Sequence, residues 1–166
     1  MLIADHASPL GRVRLTSDGD AVTGLYFCDP ALPPSPENLP VPVIFARAFD
    51  WLDRYFAGKT PSGMPPLAPT GTAFRREIWQ ELLRVPYGET VSYGELARRY
   101  TERHGRAMSA QAVGSAVGHN PIALMIPCHR VIGSDGALTG YAWGTERKAA
   151  LLRLEGHTVN SGRVSE

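Results

Sequence analysis

Proline sets the first limits on this chain. Ten of its fourteen prolines fall in two short stretches, at positions 30, 33, 34, 36, 40 and 42 and at positions 61, 65, 66 and 69. Each proline fixes φ and removes a backbone donor, so neither stretch suits a helix interior or a central strand. The first, Asp29 to Pro42, reads as an extended surface loop ordered only in part. The second, Pro61 to Pro69, reads as the boundary between an amino-terminal lobe, residues 1–70, and the remainder, residues 71–166. With 166 residues and 43% hydrophobic content, the chain can bury a core as one domain or as two small lobes.

The segments between these breaks carry opposite periodicities. Leu2 to His6, Arg12 to Thr16 and Ala21 to Phe27 read as strands separated by Pro9-Leu10-Gly11 and Ser17-Asp18-Gly19-Asp20, which predicts a three-stranded antiparallel meander. Phe45, Ala48, Phe49, Leu52, Tyr55 and Phe56 recur at helical steps and stop near Gly58. Thr72 can cap a helix with a Phe74, Ile78, Trp79, Leu82, Leu83 stripe that ends before Pro86. Ser92 and Glu95 form a capping-box pattern opening a short helix through Leu96, Ala97 and Tyr100. From Ser109 to Gly118 a further helix is built almost wholly of small residues. Two such helices form a helix-turn-helix able to lie against a nucleic-acid groove, or equally a tight contact inside a core; the pattern leaves both open. A last helix through Ala149 to Leu154 closes at Glu155-Gly156.

Charge and cysteine usage narrow the function classes. The net charge of +1 hides an asymmetry: residues 1–71 hold five Lys or Arg against seven Asp or Glu, and residues 72–166 hold twelve against nine. Only Lys59 and Lys148 are lysine, and arginine's planar fork suits phosphates and base edges, yet such a bias by itself mostly describes a solvated surface. Apolar runs such as Ile122 to Ile126 are far short of the roughly 20 residues a membrane span requires. The amino terminus shows no basic stretch followed by an apolar core, so the expected location is the cytoplasm. Cys28 and Cys128 lie too far apart for a disulfide framework, and no metal-ligand spacing accompanies either.

Chemistry concentrates in Asn120-Pro121-Ile122-Ala123-Leu124-Met125-Ile126-Pro127-Cys128-His129-Arg130-Val131. A thiol is a nucleophile as the thiolate, and an adjoining imidazole or guanidinium favours that form. Neighbouring side chains on an extended strand face opposite ways, so His129 can serve Cys128 only across a bend, which Pro127 makes plausible, or through water. Such a histidine needs an acceptor on its other nitrogen, and Glu155 is the candidate. Cys28 reads as packing.

Pro-Cys-His-Arg-Val at 127–131 resembles the active-site motif of the O6-alkylguanine-DNA alkyltransferases. The resemblance continues from about Gly71 to Gly156, through Pro-Tyr-Gly-Glu-Thr-Val-Ser-Tyr-Gly-Glu-Leu-Ala, Ala-Val-Gly, Gly-His-Asn-Pro, and Leu-Thr-Gly-Tyr-Ala-Trp-Gly followed by Glu-Arg-Lys. It implies an α+β protein: a small ribonuclease H-like antiparallel sheet with a helix, then a winged-helix-like lobe with the helix-turn-helix and the cysteine. Cys128 would take the alkyl group from guanine O6 in a single, unreversed displacement, so each molecule acts once. His129 would act as base through water, Glu155 would orient it, and Asn120 would brace the turn. Tyr93, Val131, Tyr141, Ala142 and Trp143 would form the substrate pocket. Ser92, Ala110, Gln111, Ala112, Gly114, Ser115, Arg130 and Arg106 would meet the DNA. The implied partner is double-stranded DNA carrying O6-alkylguanine, approached from the minor groove with the base flipped out. The protein would be a monomer without cofactor or metal; His6 and Cys28 are too few for the zinc some relatives hold.

Three features depart from the family pattern. Gln111 stands where an arginine usually fills the gap left by the flipped nucleotide. The connection from Arg98 to Met108 is long and carries Arg98, Arg99, Arg103 and Arg106, of which Arg106 is expected to compensate. Trp143 occupies a pocket position often held by a small residue, and its bulk is expected to favour methyl over benzyl groups. The rival readings are an alkyltransferase-like sensor that binds lesions without transfer, a helix-turn-helix regulator, and a cysteine hydrolase. Cys128 counts against the first, the unexplained Cys-His-Arg cluster against the second, and the lack of an oxyanion-hole signal against the third.

Overall fold

The computed structural model describes residues 1–37 and 40–165; Asn38 and Leu39, within the expected loop, lie outside the described residues. The chain forms two compact units, residues 1–70 with 121–125, and residues 71–120 with 126–166. Pro121–Met125 thus joins the first unit, although sequence reading leaves it in the second.

In the first unit, β1 (Leu2–His6), β2 (Val13–Ser17) and β3 (Val22–Phe27) pair antiparallel in the order β1-β2-β3. Val13 and Leu15 on β2 face inward while Arg14 and Thr16 alternate with them, the period of two expected of a half-buried strand. Helix α1 (Val43–Phe56) buries Ile44, Phe45, Ala48, Trp51, Leu52 and Tyr55. The prolines have a specific use here. Strand β3 has a free edge opposite β2, and that edge is covered by two extended segments, Val22 bonding to Pro66 and Ala68, and Leu25 bonding to Pro121 and Ala123. A proline that cannot donate still accepts, so Pro66 and Pro121 close an edge that would otherwise invite strand pairing.

The loop after β3 is tied down at its described residues. The Asp5 carboxylate accepts from Arg12, from Arg14 Nε at 2.7 Å and from the Ser35 amide at 2.8 Å, while Arg14 also donates to the Pro33 carbonyl. Burial pushes the Asp5 carboxyl up, but these donors together outweigh it and hold it at about 2.

The second unit contains α2 (Ala73–Leu83), β4 (Val91–Ser92), α3 (Tyr93–His104), α4 (Ala110–Gly118), a 3₁₀ turn at Cys128–Arg130, β5 (Val131–Ile132), α5 (Thr145–Leu154) and the hairpin β6 (Thr158–Asn160) with β7 (Arg163–Ser165). Thr72, Ser92 and Ser109 cap α2, α3 and α4, each accepting from the amide three residues on. Glu95 bonds Arg98 and Arg99 rather than returning to its own cap. Helix α3 is longer than the sequence pattern predicts. Arg98 to His104 are helical, and Gly105, at φ 69°, ends the helix in the left-handed conformation. The connection to α4 is therefore only 105–109. Val113, Ala116 and Val117 of α4 turn inward, and Trp79 Nε1 donates to the Ala116 carbonyl at 2.9 Å. Ala110, Gln111, Ser115 and Gly118 remain exposed. The small residues thus serve both readings at once, packing on one side and leaving a low surface on the other.

Candidate active site and nucleic-acid interface

The Cys motif is a turn, not a strand. Pro127 sits at φ −83°, ψ 63°, the Cys128 amide bonds back to the Ile126 carbonyl at 2.8 Å, and Arg130 bonds to Pro127 at 3.0 Å. This 3₁₀ turn removes the objection that consecutive side chains face opposite ways. Asn120 Nδ2 donates to the Ile126 carbonyl at 2.8 Å and hydrogen-bonds the Cys128 thiol, so one amide fixes both the turn and the sulfur. Parallel pairing of β5 with β4, Val91 opposite Val131, anchors the exit from the turn beside the start of α3.

Behind the cysteine lies a buried polar chain. His129 Nε2 is 2.5 Å from Glu155 Oε2, and Glu155 Oε1 accepts from Arg130 Nε at 2.7 Å and from the Gly88 amide at 3.0 Å. A carboxylate only accepts, so the proton between His129 and Glu155 belongs to Nε2, which leaves Nδ1 as the basic nitrogen. Burial holds the imidazole neutral, against the pull of Glu155 and with help from the charges of Arg130 and Lys148. Burial also pushes the Glu155 carboxyl up, yet His129 and Arg130 more than reverse this and keep it at about 2. The arrangement is an ionised carboxylate aligning a neutral imidazole.

Cys128 opens onto a cavity of about 260 Å³ lined by Tyr93, Gly114, Val117, Gly118, Gly140, Tyr141, Ala142 and Trp143. Its sulfur is nearly sealed, with 6% of the residue exposed, and burial pushes the thiol pKa up while Asn120 and Lys148 pull it down. The wall opposite α4 is a loop from Gly140 to Gly144 in which Tyr141 and Trp143 meet edge to face at 5.3 Å. The Tyr141 hydroxyl is buried without a hydrogen-bond partner among the described residues, and burial raises its pKa well above the usual phenol value, so it remains a donor. Apolar walls with a few convergent polar groups suit a single flat base.

The predicted site residues divide clearly. Cys128, His129, Glu155 and Asn120 converge, and Tyr93, Tyr141, Ala142 and Trp143 line the cavity with Cys128. Val131 is fully buried at the end of the turn. Ala110, Gln111 and Ser115 lie exposed on α4, Ala112 and Gly114 are half-buried there, and Ser92 is spent as the α3 cap. Arg130 is a correction: 7% exposed, it donates to Glu155 and to the Val85 carbonyl and lies over the Tyr87 ring, so it is an internal strut and not a surface DNA contact. Arg106 stays exposed but is held by Glu77 and the Tyr100 hydroxyl. Lys148 escaped the sequence reading altogether. It is fully buried, and the only signal was its place in Glu-Arg-Lys, which gives no hint of burial.

Fold and site together define a buried cysteine, backed by a histidine and a carboxylate, in the same unit as a helix-turn-helix. Comparison with known proteins agrees over nearly the whole chain. Residues 73–157 match the model of the DNA-binding domain of 6-O-methylguanine DNA methyltransferase, and residues 2–65 match that of its ribonuclease-like domain. The methylated-DNA–protein-cysteine methyltransferase of Mycobacterium tuberculosis is 46% identical over 149 residues, covering 89% of this chain and 88% of that protein. That of Methanosarcina barkeri is 50% identical over 155 residues, covering 89% and 92%. The crystal structure of Mycobacterium tuberculosis OGT in complex with DNA superimposes with a TM-score of 0.79 at 42% identity, covering 92% of this chain and 91% of that one. The chain belongs to the 6-O-methylguanine DNA methyltransferase family, whose members repair DNA by moving an alkyl group from guanine to a protein cysteine.

Proposed function

We propose that Cys128 is the alkyl acceptor, that His129 takes its proton through a water molecule, and that Glu155 keeps His129 neutral and aligned. The observation that carries this reading is a thiol facing a base-sized cavity with the His129-Glu155-Arg130 chain behind it. Sulfur attacks the alkyl carbon, the S–C bond forms as the C–O6 bond breaks, and the thiol proton ends on the departing guanine. Charge and atoms balance without a cofactor, and the thioether has no route back. Asn120 positions the sulfur as it braces the turn.

The substrate side follows from the walls. Tyr93 and Tyr141 flank the flipped base, the Ala142 backbone and the Cys128 and Val131 carbonyls address its polar edge, and Trp143 caps the alkyl end. The low face of α4, Ala110 to Ser115, enters the minor groove with Gln111 in the vacated stack. Arg106 can exchange Glu77 for a phosphate at little cost because exposed ion pairs are weak. A monomer in the cytoplasm, on the nucleoid when searching, fits this use.

Incubation with an oligonucleotide containing O6-methylguanine, followed by intact-protein and peptide mass measurement, tests the assignment. A gain of one methylene on the Cys128 peptide is expected, absent in Cys128→Ala. Binding of the lesion without mass gain would overturn transfer in favour of a sensor.

A further inference from the structure

The fully buried lysine on α5 has no role in the scheme above. We propose that Lys148 is the counter-charge of the Cys128 thiolate, a positioning residue that makes the sulfur anion affordable inside a sealed pocket. The inference deepens the alkyl-acceptor reading of Cys128 and rests on it.

Geometry carries the argument first. Lys148 is 0% exposed, and its Nζ donates to the Gly140 carbonyl at 2.9 Å. Gly140 and Cys128 line the same cavity, so the ammonium is bonded to a residue of the wall that Cys128 shares. Among the described residues no carboxylate forms an ion pair with Lys148, although arginines throughout this unit do find one. An ammonium buried with a single carbonyl is expensive, and a methionine would fill the same volume without that penalty. The charge therefore needs an anion that the resting contacts do not display.

The surroundings leave one candidate for that anion. The titratable groups around the thiol are His129 and Arg130 on its own turn, Lys148 and Glu155 from α5 and its cap, and Tyr93 and Tyr141 on the cavity walls. His129 is held neutral and cannot supply positive charge. The Arg130 guanidinium is committed to Glu155 and the Val85 carbonyl. Burial keeps Tyr141 a phenol, and a tyrosine side chain carries no positive charge in either form. Lys148 and Cys128 are the remaining pair, and each acts on the other: the thiolate favours the ammonium, and the ammonium favours the thiolate. Burial brings Lys148 down to about 8, which keeps it mostly protonated at neutral pH, so the counter-charge is present when the sulfur ionises.

The test uses the whole protein and a probe that needs no DNA. Carboxamidomethylation of Cys128 by iodoacetamide is followed from pH 6 to 10 by peptide mass spectrometry, which separates Cys128 from Cys28, in the wild type, Lys148→Met and Lys148→Gln. Both variants are expected to react at least about tenfold more slowly at pH 7.5, with the profile moved up by about one pH unit or more. Glutamine retains a donor for the Gly140 carbonyl and so separates charge from bracing. A wild-type profile in Lys148→Gln would overturn the proposal and leave Lys148 as a loop brace. A measurement on unmutated protein guards against misfolded variants: the Lys148 Nζ titration, followed by NMR, should move to lower pH once Cys128 is alkylated, and an unmoved titration would also overturn the pairing. Parallel transfer assays with the O6-methylguanine oligonucleotide keep the two ideas apart. Shifted profiles without transfer would sink the alkyl-acceptor reading and leave the pair standing; transfer with unshifted profiles would do the reverse.

Discussion

Glu155 concentrates the energetics of the site in one side chain. It serves His129, Arg130 and the Gly88 amide at once, and Arg130 has no other carboxylate among its described contacts. Its folded pKa of about 2 lies below the unfolded value near 4.3, so the unfolded chain binds the proton more readily. The stabilisation, about 3 kcal/mol, is complete above pH ~4.5 and is lost as pH falls toward 2. Glu155→Gln removes the carboxylate while leaving Arg130 buried, and should cost about 3 kcal/mol at pH 7 with a flatter acid limb. Chemical denaturation from pH 3 to 8 would check this; an unchanged pH dependence would mean that Glu155 is not the acid-labile group. Trp143 gives a prediction on specificity. It closes the cavity against Tyr141, so Trp143→Gly should speed reaction with O6-benzylguanine at least several-fold, and an unchanged rate would remove Trp143 as the gate. At this scale the cysteine and histidine were legible because the motif places them, and the glutamate because a histidine serving the thiol needs an acceptor on its other nitrogen. Lys148 was not, since burial of a charge is decided by tertiary packing that no local pattern records. Arg130 misled for the same reason: an arginine in a motif looks like a phosphate ligand until its guanidinium is found inside.

Elements show how far local rules reach. Strands β1 to β3, the serine and threonine caps and the α4 start all followed from period and capping chemistry, because those signals act within a few residues. The end of α3 was misplaced since charged residues such as Arg98 and Arg99 carry no apolar stripe, although their bonds to Glu95 and the Gly105 cap sustain the helix. The two-residue β4-β5 pair escaped notice because its strands lie forty residues apart in sequence, whereas the bend at Cys128 that Pro127 suggests is set by local bonds to Ile126 and Pro127. Gly114 turns this into a prediction. A Cβ there would meet the Tyr93 ring at 3.5 Å, ordinary contact, so alanine fits. Gly114→Ala should raise stability by about 0.5–1 kcal/mol through helix propensity, yet slow transfer, because the added methyl lines the cavity and restrains Tyr93. Thermal melts paired with single-turnover rates would check both; a faster or equal rate would show that the low face of α4 is not needed there.

For the molecule as a whole, the charge asymmetry in the sequence overstates the positive field. Residues 72–166 hold twelve Lys and Arg, but Arg84, Arg98, Arg99, Arg103, Arg106, Arg130 and Arg163 all pair with carboxylates of the same unit. Lys148 is buried besides. Few cations remain to displace counterions, which suits a protein that must release undamaged DNA quickly while testing each base. Binding to undamaged duplex should therefore weaken with salt at a slope of only about two to four in a log–log plot of Kd against monovalent salt. Gln111→Arg should raise that slope by about one and tighten binding at every sequence, and Arg106→Ala should lower it if the guanidinium leaves Glu77 for phosphate. Fluorescence anisotropy from 50 to 300 mM salt measures all three. A wild-type slope of six or more would show that the paired arginines abandon their glutamates on DNA, and Arg106→Ala without effect would leave Arg106 as a brace of the connection before α4.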